Sequence, residues 1–92
     1  MIRSQPDKKT GDVKVTFVLD PKDHPGHVSV VGNFNDWSPF AHVLRVPLLR
    51  LRSATVVVPA GSAIHFRYLG EDGHWFDDDD AVVSSEGSTL QV

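Results

Sequence analysis

Cysteine is absent from the 92 residues, which excludes a disulfide framework and a thiolate metal site and leaves no mark of an oxidising compartment. Also missing is any apolar run near the roughly 18 residues that a membrane span needs. The opening stretch MIRSQPDKKTGD is polar and has no apolar segment of the kind a signal peptide carries. The expected location is therefore cytoplasmic, with no membrane contact. Basic charge is scarce: nine Lys and Arg stand against twelve Asp and Glu, a net charge of −3. That argues against nucleic acid as a partner, because phosphate backbones want a basic face. There is no Ser–His–Asp order, no Gly-rich phosphate loop and no metal motif. Neither catalysis nor a cofactor is expected.

What is there is a series of short alternating runs, and no window keeps a helical period. The length fits one domain with a compact core. Residues 1–11 carry no apolar pattern and read as a flexible tail ahead of a domain over 12–92. In DVKVTFVLD, Val13, Val15, Phe17 and Leu19 fall on one face, the mark of a half-buried strand. PKDHPG is a loop rich in Pro, Asp and Gly. HVSVVG is a second strand with Val28 and Val30 on one face. A polar loop, GNFNDWSPF, follows and holds a Trp. HVLRVPLLRLR is ambiguous: an irregular strand fits, and Pro47 argues against a helix interior or a central strand. SATVVVPAG is a β-branched strand. SAIHFRYLG alternates Ile64, Phe66 and Tyr68 against His65, Arg67 and Leu69. EDG signals a hairpin turn, HWF opens the return, and TLQV closes the chain. Six or seven strands parted by turns predict an all-β fold, an immunoglobulin-like antiparallel β-sandwich.

Two pieces carry a resemblance. One is Gly-x-Phe-Asn-x-Trp after a strand, with Gly32, Phe34, Asn35 and Trp37. The other is Pro-x-Gly, an alternating strand with a basic residue, then Asp-Gly-x-Trp, with Pro59, Gly61, Arg67, Asp72, Gly73 and Trp75. In this order the chain resembles the glycogen-binding modules of carbohydrate-binding module family forty-eight over about residues 13–92. These are related to the early-set domains at the N-termini of isoamylases and branching enzymes, and to the β-subunit of the AMP-activated protein kinase. The resemblance implies an early-set fold and a non-catalytic module for α-1,4-glucans such as glycogen or maltooligosaccharide. It implies a glucose-ring platform of Trp37 and Trp75, with Arg67 bonding sugar hydroxyls. The Arg67-to-Trp75 spacing is one residue longer than in the kinase subunit. Family members carry an Asn near the start of the last strand; here SSEGSTLQV has none, and Ser88 or Thr89 would be a weak substitute.

The chemistry is coherent on its own terms. A pyranose has an apolar C–H face and a hydroxyl rim. An indole offers a flat apolar plate with little rotamer entropy to lose, and a guanidinium offers directional donors for the rim. Each choice has a plainer rival. Trp37 would plug the end of the sandwich, Trp75 would pack on an edge strand, and Arg67 would pair with a nearby Asp, worth about 0–1 kcal/mol. Asn35 and Asp36 read as turn formers. The acidic run 77–80 reads as a solvated loop rather than a calcium site, since it lacks the spacing and central Gly of a calcium loop. His24, His27 and His65 are too scattered for a favoured zinc site. Glycoside hydrolysis needs two carboxylates about 5–10 Å apart across a cleft, and nothing frames a cleft. The alternative to a glucan module is an early-set protein-interaction scaffold that has lost sugar binding and associates in trans with a glycogen-metabolising enzyme.

Overall fold

The computed structural model describes residues 1–20, 26–38, 41–45, 51–71, 73–78, 81–84 and 87–92. The loop histidine His24, Pro47, Asp72 and the last two aspartates of the acidic run lie outside them. Among the described residues the protein is all-β: β1 (Ile2–Pro6), β2 (Asp12–Leu19), β3 (Val28–Gly32), β4 (Arg52–Pro59), β5 (Ala63–Gly70), β6 (Trp75–Phe76), β7 (Val82–Ser84) and β8 (Gly87–Gln91). They form two sheets, β1-β2-β4 and β3-β5-β8-β7, with β6 hydrogen-bonded to β5. Every strand pair is antiparallel.

The period-two rows of the sequence supply one core shared by both sheets. Val13, Val15 and Phe17 of β2 and Val56 and Val58 of β4 meet Val28 and Val30 of β3 and Ile64, Phe66 and Tyr68 of β5. Phe17 sits among aromatic rings, its centroid 4.9 Å from Phe66 and 6.3 Å from Tyr68. Burying an aromatic side chain of this kind is worth about 1.5–3 kcal/mol.

The expected tail over 1–11 is corrected. Ile2–Pro6 is an edge strand on β2, in register from Ile2↔Phe17 to Pro6↔Val13. Its connection is a closed turn: the Asp7 N–H donates to the Asp12 carbonyl at 2.8 Å, and the Gly11 N–H donates to the Asp7 carbonyl at 3.0 Å. Gly11, at φ 76°, takes the left-handed position that a residue without Cβ adopts without strain. Backbone pairing, which leaves no mark on apolar periodicity, holds most of this strand, and Ile2 adds a partly buried contact with the core.

The ambiguous HVLRV region is resolved over its described part. The Val30 N–H donates to His42, and the Leu44 N–H to Val28, along the edge of β3 away from β5. Arg45 then bridges to Ser53 on β4, so 42–45 passes from the second sheet to the first. With both edges paired, all five residues of β3 are buried.

The acidic run is not uniformly solvated. Asp78 is buried, and its Oδ2 accepts the Tyr68 hydroxyl at 2.5 Å. A buried carboxylate is tolerated when it is given donors, and Tyr68 supplies one from the core face of β5. Ser88 Oγ also meets the Asp78 N–H, at 3.3 Å.

Candidate functional site

Trp37 is delivered by the turn that ends β3. That turn is built by asparagine. The Asn33 N–H donates to His65 O at 3.0 Å, its Oδ1 accepts the His65 N–H at 3.2 Å, and its Nδ2 donates to Ala63 O at 3.0 Å. Its amide thus extends the β3–β5 ladder by one side chain. Asn35 braces the turn from inside: Oδ1 accepts the Gly32 N–H at 3.1 Å, and Nδ2 donates to Val30 O at 3.1 Å and to His42 Nδ1 at 2.9 Å. The Asn35 and Trp37 N–H groups both return to Gly32 O. Gly32 is required for close approach, because a Cβ there would lie 2.5 Å from the His65 carbonyl oxygen.

The turn carries two consecutive non-glycine residues in the left-handed region, Asp36 at φ 55° and Trp37 at φ 57°. Asp tolerates that region; for a bulky residue it is an outlier. The outcome is an indole in solvent, Trp37 being 45% exposed. Its rival role as a plug falls to Phe34, three residues earlier. Phe34 is half-buried, packs against the core, and stacks on Phe17 at 5.8 Å and against His42 at 5.7 Å. The motif separates its two aromatics: Phe34 goes in and Trp37 goes out.

Trp75 is placed by a hairpin. The Gly70 N–H donates to His74 O at 2.8 Å, the Gly73 N–H donates to Gly70 O at 3.0 Å, and Gly73 adopts φ 82°. The register sets Trp75 opposite Leu69 and Phe76 opposite Tyr68. Directly paired residues share a face, so Phe76 turns to the core, 5.2 Å from the Tyr68 ring. Trp75 goes to the outer face with Leu69 and is 47% exposed.

Arg67 lies on that same outer face, as alternation against buried Phe66 and Tyr68 requires. It does not stand up from the sheet. A Cβ on Gly87 would lie 2.9 Å from Arg67 Cγ and 2.8 Å from Nε, so the stem lies across Gly87. Nε is 3.6 Å from Asp77 Oδ1, with both side chains about one-third exposed. The ion-pair reading of Arg67 is thus realised in the geometry, and such a pair is worth about 0–1 kcal/mol.

Ser88 is corrected as a surface contact. It is 1% exposed, and its Oγ donates to Asp77 Oδ1 at 2.9 Å. Its register opposite core residue Phe66 turns it inward. Thr89, the next residue, takes the outer face opposite His65, and the two side chains meet at 3.3 Å. The outer face of the second sheet therefore gathers His65, Arg67, Leu69, Trp75 and Thr89. Trp37 comes from the turn past the end of β3. Asn33, Phe34 and His42 set the frame; the sequence carried no periodic signal for them, because their partners lie across strands. No family model matches the chain, and no curated protein matches it.

Proposed function

We propose that this protein is a non-catalytic binding module for α-1,4-glucans, on an immunoglobulin-like early-set sandwich, with Trp37 and Trp75 as the sugar platform and Arg67 as the polar contact. The observation that supports it is the exposure of both indoles at 45% and 47% in a chain with only two Trp. Each has an aromatic neighbour in sequence, Phe34 or Phe76, that turns to the core in its place. Exposed flat apolar plates and a guanidinium are groups that suit a chain of pyranoses lying on a surface, which needs no deep pocket. The glucan would be glycogen or a maltooligosaccharide.

One observation favours the second reading, an early-set scaffold that docks on a glycogen-metabolising enzyme. Ser88 is withdrawn into the interior, so the last strand offers only Thr89 where a further sugar contact is expected. Affinity electrophoresis through gels with and without glycogen separates the two. Under the first reading the wild type is retarded, and Trp37→Ala and Trp75→Ala run freely while keeping their circular dichroism. A wild type that is not retarded overturns the glucan reading in favour of the scaffold. In either case the purified protein is expected to release no reducing sugar from glycogen.

A further inference from the structure

The charge of this chain is unevenly distributed. From Tyr68 to the last residue there are seven carboxylates and no Lys or Arg, whereas residues 1–14 carry Arg3, Lys8, Lys9 and Lys14 against Asp7 and Asp12. Three of those four cations line one cavity of about 510 Å³ on the outer side of the first sheet, away from the two Trp. That volume lies in the range of small-molecule sites.

The cavity has a floor and a wall of different origin. The floor is a cross-strand row: Gln5 is paired with Lys14, and Lys14 with Val57. Val57 is 61% exposed there and leaves an apolar patch next to Lys14 in the row. The wall is the β1–β2 turn, which brings Lys8, Lys9 and Thr10. Pro6 and two carboxylates, Asp7 and Asp12, complete the lining. Asp7 is engaged in the turn itself, its Oδ1 accepting the Lys9 N–H at 2.9 Å. The Asp12 N–H is held by Thr10 Oγ1 at 3.2 Å, and Gly11 O accepts from the Ala60 N–H at 3.0 Å. The lysines thus stand on a braced turn tied to both neighbouring strands. A second cavity of about 340 Å³ shares Gln5 and Lys14 and adds Arg3, which extends the positive field along the face. Against Asp7 and Asp12, the two adjoining cavities gather Arg3, Lys8, Lys9 and Lys14, a local positive excess in a protein of net charge −3 that attracts compact anions.

We propose that the hollow beneath the β1–β2 turn binds a compact oligophosphate, the di- or triphosphate group carried by inorganic polyphosphate or by a nucleotide. Lys8, Lys9 and Lys14 supply the charge, as point cations suited to clustered phosphate oxygens. Gln5 and Thr10 supply neutral donors. Val57 supplies the apolar patch against which a nucleoside would lie.

The test is an amide-resolved NMR titration of the full chain at low ionic strength, with sodium tripolyphosphate, ATP and sodium sulfate as probes. With tripolyphosphate, the amides of Lys8, Lys9, Thr10 and Lys14 shift and saturate, and sulfate at the same concentration leaves them in place. The double variant Lys8→Gln/Lys9→Gln, altered only at exposed positions, keeps the free-state spectrum and binds at least about tenfold more weakly. ATP matching tripolyphosphate assigns the site to the phosphates alone; ATP binding more tightly, with Val57 shifting, assigns it to a nucleotide. Trp37→Ala and Trp75→Ala titrate as wild type, which keeps this site separate from the glucan reading. Failure to saturate, equal shifts with sulfate, or unchanged affinity in the double lysine variant overturns the proposal.

Discussion

The Asn35 side-chain amide donates to His42 Nδ1 at 2.9 Å while its other donor meets Val30 O and its oxygen receives the Gly32 N–H. One half-buried amide thus ties together the end of β3, the strand leaving the loop and the turn that bears Trp37. Asn35→Ala removes all three bonds and leaves the Gly32 N–H and the Val30 carbonyl short of a partner. At about 1 kcal/mol of net stability per hydrogen bond, a loss of about 2–3 kcal/mol is expected in urea unfolding. Asn35→Asp keeps the acceptor for Gly32 but turns an oxygen toward the Val30 carbonyl. It is expected to be no better than Asn35→Ala.

Trp37 adopts φ 57°, so the turn carries backbone strain. Trp37→Gly and Trp37→Ala both remove the indole and differ only in the Cβ. A left-handed backbone costs an L-residue about 1–2 kcal/mol that glycine does not pay. Trp37→Gly is therefore expected to be about 1 kcal/mol more stable than Trp37→Ala by thermal or urea unfolding, and under the glucan reading neither is retarded by glycogen. Equal stabilities would show that the turn relaxes out of the left-handed region once the ring is gone.

These two residues show what was legible in the sequence. Alternation disclosed the core faces of β2 and β5, because a buried face repeats every second residue and Val13, Val15, Phe17, Ile64, Phe66 and Tyr68 obey that rule. The loop Trp was visible as an apolar residue in a polar turn. The division of labour between Phe34 and Trp37 was not, since both are aromatic and only the contacts of Phe34 with Phe17 and His42 decide which goes inside. β1 was missed because its hold on β2 is made by backbone groups that every residue carries. Asp78 was missed because nothing local marks a carboxylate for burial; its hydroxyl partner, Tyr68, lies ten residues away on β5. Ser88 was misread for the same reason: its face is set by its register opposite Phe66.

Tyr68 and Asp78 form a buried pair whose partners fail unequally when separated. Tyr68→Phe keeps the ring in its place against Phe17, Phe66 and Phe76 and deletes one donor to a carboxylate that is 3% exposed and also lies 3.5 Å from the Met1 ammonium. Hydrogen bonds to charged groups are worth about 1.5–3 kcal/mol, and a loss in that range is expected from the midpoint of urea unfolding. Tyr68→Phe added to Asp78→Ala is expected to cost little more than Asp78→Ala alone. That non-additivity distinguishes a coupled pair from two independent losses.

Gly87 and Arg67 offer the last test, because stability and binding meet there. Gly87 begins β8 at φ 111°, and a Cβ would lie 2.8 Å from Arg67 Nε, 2.9 Å from its Cγ and 3.2 Å from the Phe66 carbonyl oxygen. Two separable penalties follow. The backbone conformation and the Phe66 contact belong to the sheet and persist whatever occupies position 67, whereas the Arg67 contact disappears when that side chain is removed. Gly87→Ala in the wild type is expected to cost about 1–3 kcal/mol from backbone strain, with the clash adding to it. In an Arg67→Ala background the same substitution should cost less, by about 0.5–1 kcal/mol, as expected for neighbours in contact. The remaining side chain in Gly87→Ala must swing away from its seat across β8 and from Asp77. Under the glucan reading, folded Gly87→Ala is then expected to lose glycogen retardation nearly as far as Arg67→Ala does. Unchanged retardation in Gly87→Ala, with the stability loss as stated, would show that the seat of Arg67 across Gly87 serves the sheet and not the ligand.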